Sequence, residues 1–178
     1  DLKRAHIDGL TSLLRRDVFE PRLDKLIAEM DFPKEHRKVP VQAIVVIKID
    51  ITDFKVFNEK PYDHDFGDEV LQAFADRLRS STKEGTDLLF RYGGDEFAMI
   101  LPIFDIGVDF EKLFAERQQL INENLSVKAP NGDILSVTCT MGYSVAEKSK
   151  KPKKTRAILL KEAEAMERSQ KNQEGLEE

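Results

Sequence analysis

Apolar positions along the chain fall into distinct rhythms, and each rhythm predicts an element. Phe19, Leu23, Leu26, Ile27 and Met30 recur at helical spacing, which predicts a helix opening near Asp17, with Pro21 in its first turns. Ala43 to Ile47 is a continuous apolar run rich in β-branched residues, the pattern of a central strand buried on both faces. A polar, turn-rich stretch from Asn58 to Asp68 leads into a second helical set, Val70, Leu71, Phe74, Ala75 and Leu78. Leu88–Tyr92 and Phe97–Leu101 are short apolar runs separated by Gly93-Gly94-Asp95-Glu96. That spacing predicts a β-hairpin whose glycines supply a positive φ. Phe110, Leu113, Phe114, Arg117 and Ile121 predict a further helix. From Leu135 to Val145 apolar and small polar residues alternate strictly, predicting one long strand with a buried face and an outward face. A last helix is expected from an N-cap at Thr155, carrying Ile158, Leu159, Ala163 and Met166 inward. The mixed order of helices and strands predicts an α+β fold, helices covering an antiparallel or mixed sheet.

Composition narrows the class. At 178 residues, 40% hydrophobic, with 9 Gly and 7 Pro, the chain has the makings of one globular domain, and collagenous or low-complexity readings fall away. Neither an internal repeat nor a Gly/Ser-rich linker divides it, so residues 1–178 are expected to form a single domain. The single cysteine, Cys139, forms no internal disulfide and suits a core position in a reducing compartment; a cytoplasmic protein is expected. No apolar run reaches the roughly 18 residues of a membrane span, so no membrane contact is expected. A formal charge of −5 argues against a nucleic-acid partner, whose binding rests on clustered cations. The first residue is Asp1, and the chain is expected to be a segment of a longer protein.

Two acidic clusters carry candidate chemistry. Asp50 and Asp53 stand where the central strand ends, a place suited to a hard cation such as Mg²⁺, and equally to an Asx turn. Asp95-Glu96 sits in the hairpin turn, either converging with Asp50 on one metal or forming a solvated tip. His64, between Asp63 and Asp65, reads as a surface or helix-start residue before it reads as a ligand. Lys148, Lys150, Lys151, Lys153, Lys154 and Arg156 read as a solvated loop.

The run Arg91-Tyr92-Gly93-Gly94-Asp95-Glu96-Phe97 resembles the signature of the GGDEF domain, the bacterial diguanylate cyclase family. Asp8-Gly9-Leu10-Thr11 with Leu13 and Arg16, Asp50 through Asn58, Gly67-Asp68 with Leu71, Asp87-Leu88 and Met141-Gly142 resemble further family motifs in the family's order. The resemblance implies a ferredoxin-like, palm-type sheet of about five strands with flanking helices and a hairpin carrying the signature. It implies condensation of two GTP into cyclic di-GMP with release of two pyrophosphates. It further implies two Mg²⁺ or Mn²⁺ ions per site, held by the carboxylates of Asp50 and Asp95 and the carbonyl of Ile51. Glu96 matches the residue that joins the metal site or deprotonates the attacking hydroxyl, making Asp95 and Glu96 the implied catalytic pair. Asn58 and Asp68 match guanine readers; Asp53, Phe54 and Lys55 match a phosphate-holding turn, and Gly93 and Gly94 leave room for the nucleotide. One GTP per domain implies a homodimer, and an upstream sensor or dimerising segment is implied as its controller.

The chain also departs from the family pattern. Thr52 replaces the second acid of D-x-D, and the stretch between Asn58 and Asp68 is one residue longer, with Asp63 where a glycine is expected before His64. Gln170 and Glu174 take the places of a Lys and an Arg that hold the outer phosphates, so a weak triphosphate grip is expected. The product-inhibition motif R-x-x-D reads Glu84-Gly85-Thr86-Asp87, so feedback through it is not expected. The alternative to an active cyclase is a catalytically weak GGDEF module that binds GTP or a protein partner.

Overall fold

A computed structural model describes residues 4–32, 39–83 and 85–176. Five strands form one mixed sheet in the order β1-β3-β4-β2-β7, where β1 is Leu14–Arg15, β2 Ala43–Ile51, β3 Leu88–Arg91, β4 Glu96–Ile103 and β7 Cys139–Glu147. β1 runs parallel to β3 and every other pairing is antiparallel. A separate small ribbon pairs β5 (Ser126–Lys128) with β6 (Ile134–Ser136). The helices are α1 (Phe19–Asp31), α2 (Lys55–Asn58), α3 (His64–Ser80), α4 (Phe110–Asn122) and α5 (Arg156–Leu176). The result is the expected α+β, palm-like arrangement. None of the described helices is long and apolar enough to cross a membrane.

β2 explains why its sequence is apolar without alternation. Val45, Ile47, Ile49 and Ile51 face one core with Val70, Phe74 and Leu78 of α3 and Phe114 of α4. Ile44 and Val46 face the opposite core with Phe19, Leu23 and Met30 of α1 and Leu159 and Ala163 of α5. Paired on both edges and covered on both faces, β2 has neither lateral nor facial freedom.

Several expectations need correction. The alternating segment is not one strand. Val137 donates its N–H to the Leu125 carbonyl, Thr138 accepts from the Thr52 N–H, and Cys139 donates to Asn122 Oδ1, so 137–138 form a junction between ribbon and sheet. Nor does the small polar face of β7 look outward. Thr140 donates to Glu167 at 2.5 Å and Ser144 to the Leu159 carbonyl at 2.6 Å, both beneath α5. Gly142 makes this possible, because a Cβ there would collide with the α5 backbone at Ala163 and Glu167.

That tangent contact also sets the phase of α5. Thr155 caps it, accepting from the Ile158 N–H, but the buried stripe is Leu159, Ala163 and Glu167, while Ile158 and Met166 are exposed. Asn58 to Asp68 is only partly loop: α3 begins at His64, capped by the Asp63 side chain, which accepts from the Phe66 N–H. The departure at Asp63 is thus a helix cap. His64 is an exposed helix-start residue. The basic run is a set of ion pairs rather than a merely solvated loop: Lys153 meets Asp31, Lys154 meets Glu162 and Arg156 meets Asp24. Cys139 is a core residue, its thiol pushed up to about 12 by burial.

Candidate active site

The sheet register brings the two acidic clusters together. Asp50 lies opposite Glu96 on β4 and opposite Thr140 on β7, and the Ile51 N–H donates to the Asp95 carbonyl at 3.2 Å. The Asp95 side chain therefore stands against that of Asp50. Burial first, and then the Asp50 charge, hold the Asp95 carboxyl above the usual carboxylate range. Asp50 Oδ2 accepts from the Lys171 ammonium at 2.9 Å, and that bond raises the Lys171 pKa. Asp50 Oδ1 is buried with no hydrogen-bond partner, as is Thr52 Oγ1.

A buried carboxylate oxygen left unpaired beside a second carboxylate is a seat for a cation. All-oxygen donors suit Mg²⁺ or Mn²⁺. No group of three or more His, Cys, Asp or Glu side chains gathers for a metal among the described residues. The fit therefore rests on the carboxylate pair, Asp50 and Asp95.

Two clefts meet at the Asp50–Lys171 bridge. One, of about 270 Å³, is lined by Ile51, Thr52, Asp53, Thr140 and Glu174. The other, of about 320 Å³, is lined by Lys48, Glu96, Glu164, Glu167 and Arg168.

The hairpin works differently from its sequence reading. Neither Gly93 nor Gly94 adopts a left-handed φ, because the connection is a four-residue loop, not a two-residue turn. A Cβ at Gly93 would meet only the tip of the exposed Glu96 side chain, at 2.9 Å, and Gly94 has open space. Arg91 fastens the loop, donating to the Gly94 carbonyl at 3.0 Å and pairing with Asp8 at 3.2 Å.

The far end of the site is built on helices. The chain leaves β2 through a turn with Asp53 at φ 50, and the N–H groups of Asp53 and Phe54 donate to no acceptor among the described residues. Lys55 is exposed and paired with Glu59. Asn58, at the end of α2, lies over Gly67 of α3, where any Cβ would collide with its amide. Asp68, next to Gly67, is exposed. Asn58 and Asp68 are thus neighbours, but neither lines the two clefts at Asp50.

On α5 the side chain that reaches the acidic pair is Lys171, not Gln170. Gln170 accepts from the Met141 N–H at 2.5 Å and serves β7, while Lys171 reaches Asp50. Lys171 stands one position from the expected cation at Gln170, and Leu159, Ala163, Glu167 and Lys171 recur every fourth residue, which puts it on the buried stripe's face. Lys48, buried in the second cleft with its pKa lowered to about 8 by burial, was also not among the expected site residues.

A family model described as diguanylate cyclase, GGDEF domain, matches residues 5–175. The chain is 33% identical over 146 residues to diguanylate cyclase VdcA of Vibrio cholerae, covering 82% of this chain and 39% of VdcA. It is 35% identical over 144 residues to the response regulator PleD of Caulobacter vibrioides, covering 80% of this chain and 29% of PleD. It thus spans little more than a third of the first relative and under a third of the second. Among solved structures, a TpbB fragment from Pseudomonas aeruginosa comprising only the GGDEF domain superimposes with a TM-score of 0.74 at 30% identity, covering 94% of this chain and 90% of the fragment.

Proposed function

The chain belongs to the diguanylate cyclase GGDEF-domain family, and from that premise we propose that it condenses two GTP into cyclic di-GMP, releasing two pyrophosphates. The observation that carries this reading is the Asp50–Asp95 carboxylate pair with Asp50 Oδ1 buried and unpaired. Asp50, Asp95 and the Ile51 carbonyl would hold two Mg²⁺ or Mn²⁺ ions. Bound there, such ions neutralise triphosphate charge and acidify a coordinated hydroxyl.

The chain's own residues do the rest. Glu96, across the strand pair from Asp50, receives the proton of the attacking 3′-hydroxyl. Lys171, 61% exposed and so free to turn, exchanges its bond to Asp50 for the outer phosphates. The N–H groups of Asp53 and Phe54, with Lys55, hold further phosphate oxygens. Asn58 and Asp68 read the guanine, whose N1–H and N2–H₂ need acceptors and whose O6 needs a donor. Gly93 and Gly94 keep the hairpin clear of the nucleotide.

Residues 1–178 are read as one such domain holding one GTP, so two copies face each other to join the nucleotides. A segment upstream in the full-length protein would control that encounter. GTP supply and a reduced Cys139 suit the cytoplasm.

The test is to incubate the chain with GTP and Mg²⁺ across a concentration series that reaches its dimeric state, and to separate products by ion-exchange chromatography. Cyclic di-GMP and pyrophosphate in a ratio of one to two are expected. GTP bound but unconverted at every concentration would replace this reading with that of a nucleotide-binding module.

A further inference from the structure

The second cleft has a floor that the proposed reaction does not use. Lys48 lies on β2 two residues before Asp50, so both side chains leave the same face of the strand. Its side chain is 7% exposed, and a buried ammonium is costly unless something answers its charge. Glu164 on α5 stands 3.9 Å away, beyond hydrogen-bond reach. The nearer partner is a ring: the ammonium sits 3.0 Å from the centroid of Tyr92.

Tyr92 is the root of the loop that carries Asp95 and Glu96. Its N–H donates to the Glu96 carbonyl at 2.7 Å, and the Gly93 N–H donates to the same carbonyl at 3.1 Å. The ring is held from outside by the Arg16 guanidinium, 4.6 Å from its centroid, and edge-on by Phe19 at 5.4 Å. Lys48 is the contact that reaches it from the strand bearing Asp50.

A wish for stability does not account for this lysine. Replacing a buried ion pair by apolar residues is commonly neutral or stabilising, and Glu164, the acid paired with Lys48, is 41% exposed and so is not left buried when the lysine goes. What the lysine adds is a fixed link between two backbone segments whose acids must meet.

We propose that Lys48 is a positioning residue: by holding the face of Tyr92 it fixes the Gly93–Glu96 loop relative to β2, so that Glu96 and Asp95 keep their place beside Asp50. Its role in turnover rests on the functional reading above; its role in fixing the loop does not.

The test uses the whole chain carrying Lys48→Met. Amide hydrogen exchange at Tyr92 and Gly93 should accelerate about ten-fold or more with β4 unchanged, while the melting temperature stays level or rises. The kcat for cyclic di-GMP should fall about ten-fold or more, with KM for GTP held within about three-fold. Tyr92→Phe, which keeps the ring face, should resemble the parent chain in both readouts. Tyr92→Leu should reproduce the Lys48→Met losses, and the double variant should lose no more than either single one.

Unchanged exchange at Tyr92 and Gly93 in Lys48→Met would overturn the proposal, as would losses that multiply in the double variant. A fall in kcat matched by a fall in melting temperature would reduce Lys48 to a packing residue and equally overturn it. If the parent chain makes no cyclic di-GMP, the functional reading fails, and the exchange measurement alone then decides the link between Lys48 and the loop.

Discussion

The two ends of the site are held in place by different physics. At the Asp50 end, β2 is hydrogen-bonded along both edges, and register alone sets Asp50 against Glu96 and brings Asp95 alongside. At the Asn58 end no strand pairing sets the geometry: a four-residue helix is anchored by Phe57, buried against Phe66 of α3, while Asn58 is set by its contact with Gly67 and Asp68 is exposed. The first end stores electrostatic strain in a rigid frame. The second is assembled from local contacts that a single side chain can disturb. In the proposed reading, chemistry that needs fixed charges sits in the sheet, and recognition of a base sits on the helices.

The largest effect is expected from relieving the strain at the rigid end. Asp95→Asn should lower turnover by about two to three orders of magnitude, on the scale of losing an electrostatic contact made in the transition state. The fold should gain. Asp95 is held above its ordinary range by burial and by Asp50, and an acid with a raised folded pKa weakens the fold at neutral pH. That penalty disappears as pH falls through the folded pKa, so the parent chain should close the stability gap to the variant on mild acidification. A gain on the order of 1 kcal/mol would raise the melting temperature by about 2–4 °C at pH 7. Equal turnover in the two proteins would remove Asp95 from the reaction.

Lys171→Met comes next and separates two roles at one residue. Losing a charge-assisted bond to phosphate, about 1.5–3 kcal/mol, should raise KM for GTP by roughly 10- to 150-fold. Binding of Mn²⁺ alone, measured by calorimetry, should tighten, because Lys171 competes for Asp50 Oδ2. Gln170→Lys should not improve GTP affinity, since position 170 faces Met141 of β7 and lines neither cleft. A gain in affinity from Gln170→Lys would show that the helix turns when nucleotide binds.

How much of this was legible follows the same division. The Asp50–Asp95 meeting could be read because a strand ending in an acid and a hairpin carrying acids have few ways to pair once β2 is central. The phase of α5 could not. It depends on Gly142 letting two backbones touch, and the apolar residues Ile158 and Met166 point to the wrong stripe. The alternation from Leu135 to Val145 misled for a related reason: small hydroxyl residues look solvent-facing in sequence, yet Thr140 and Ser144 are buried with partners on α5. Lys48 interrupts an apolar run, and only the position of Tyr92 gives that interruption a purpose.

The locally assembled end should fail by degrees. Gly67→Ala drives a methyl into the Asn58 amide and should displace it. Selectivity for GTP over ATP, measured by competition, should then fall about ten-fold, the scale on which an unpaired polar group is penalised. Catalytic turnover at saturating GTP should change far less, because the Asp50 register is untouched. If selectivity survives in Gly67→Ala while Asn58→Ala abolishes it, the amide has found another route to the base and the α2–α3 contact is not what orients it.

The smallest expected effect is none at all, and it concerns feedback by product. Glu84 lies outside the described residues, but the acid that closes the same motif, Asp87, is held by the fold through its Oδ2. It accepts from the Lys83 N–H at 2.8 Å and from Arg117 of α4 at 3.1 Å, and its side chain is 5% exposed. Turning this carboxylate to a ligand would break a largely buried ion pair, a cost of up to about 3–5 kcal/mol. Cyclic di-GMP should therefore show no micromolar binding to the chain by calorimetry and no inhibition at concentrations that accumulate during turnover. Glu84→Arg supplies the missing cation, yet it should restore little, because Asp87 remains committed to Arg117. Only the pair Glu84→Arg with Arg117→Gln should release the acid and let binding emerge; binding in Glu84→Arg alone would mean that the Arg117–Asp87 bridge opens more readily than its burial implies.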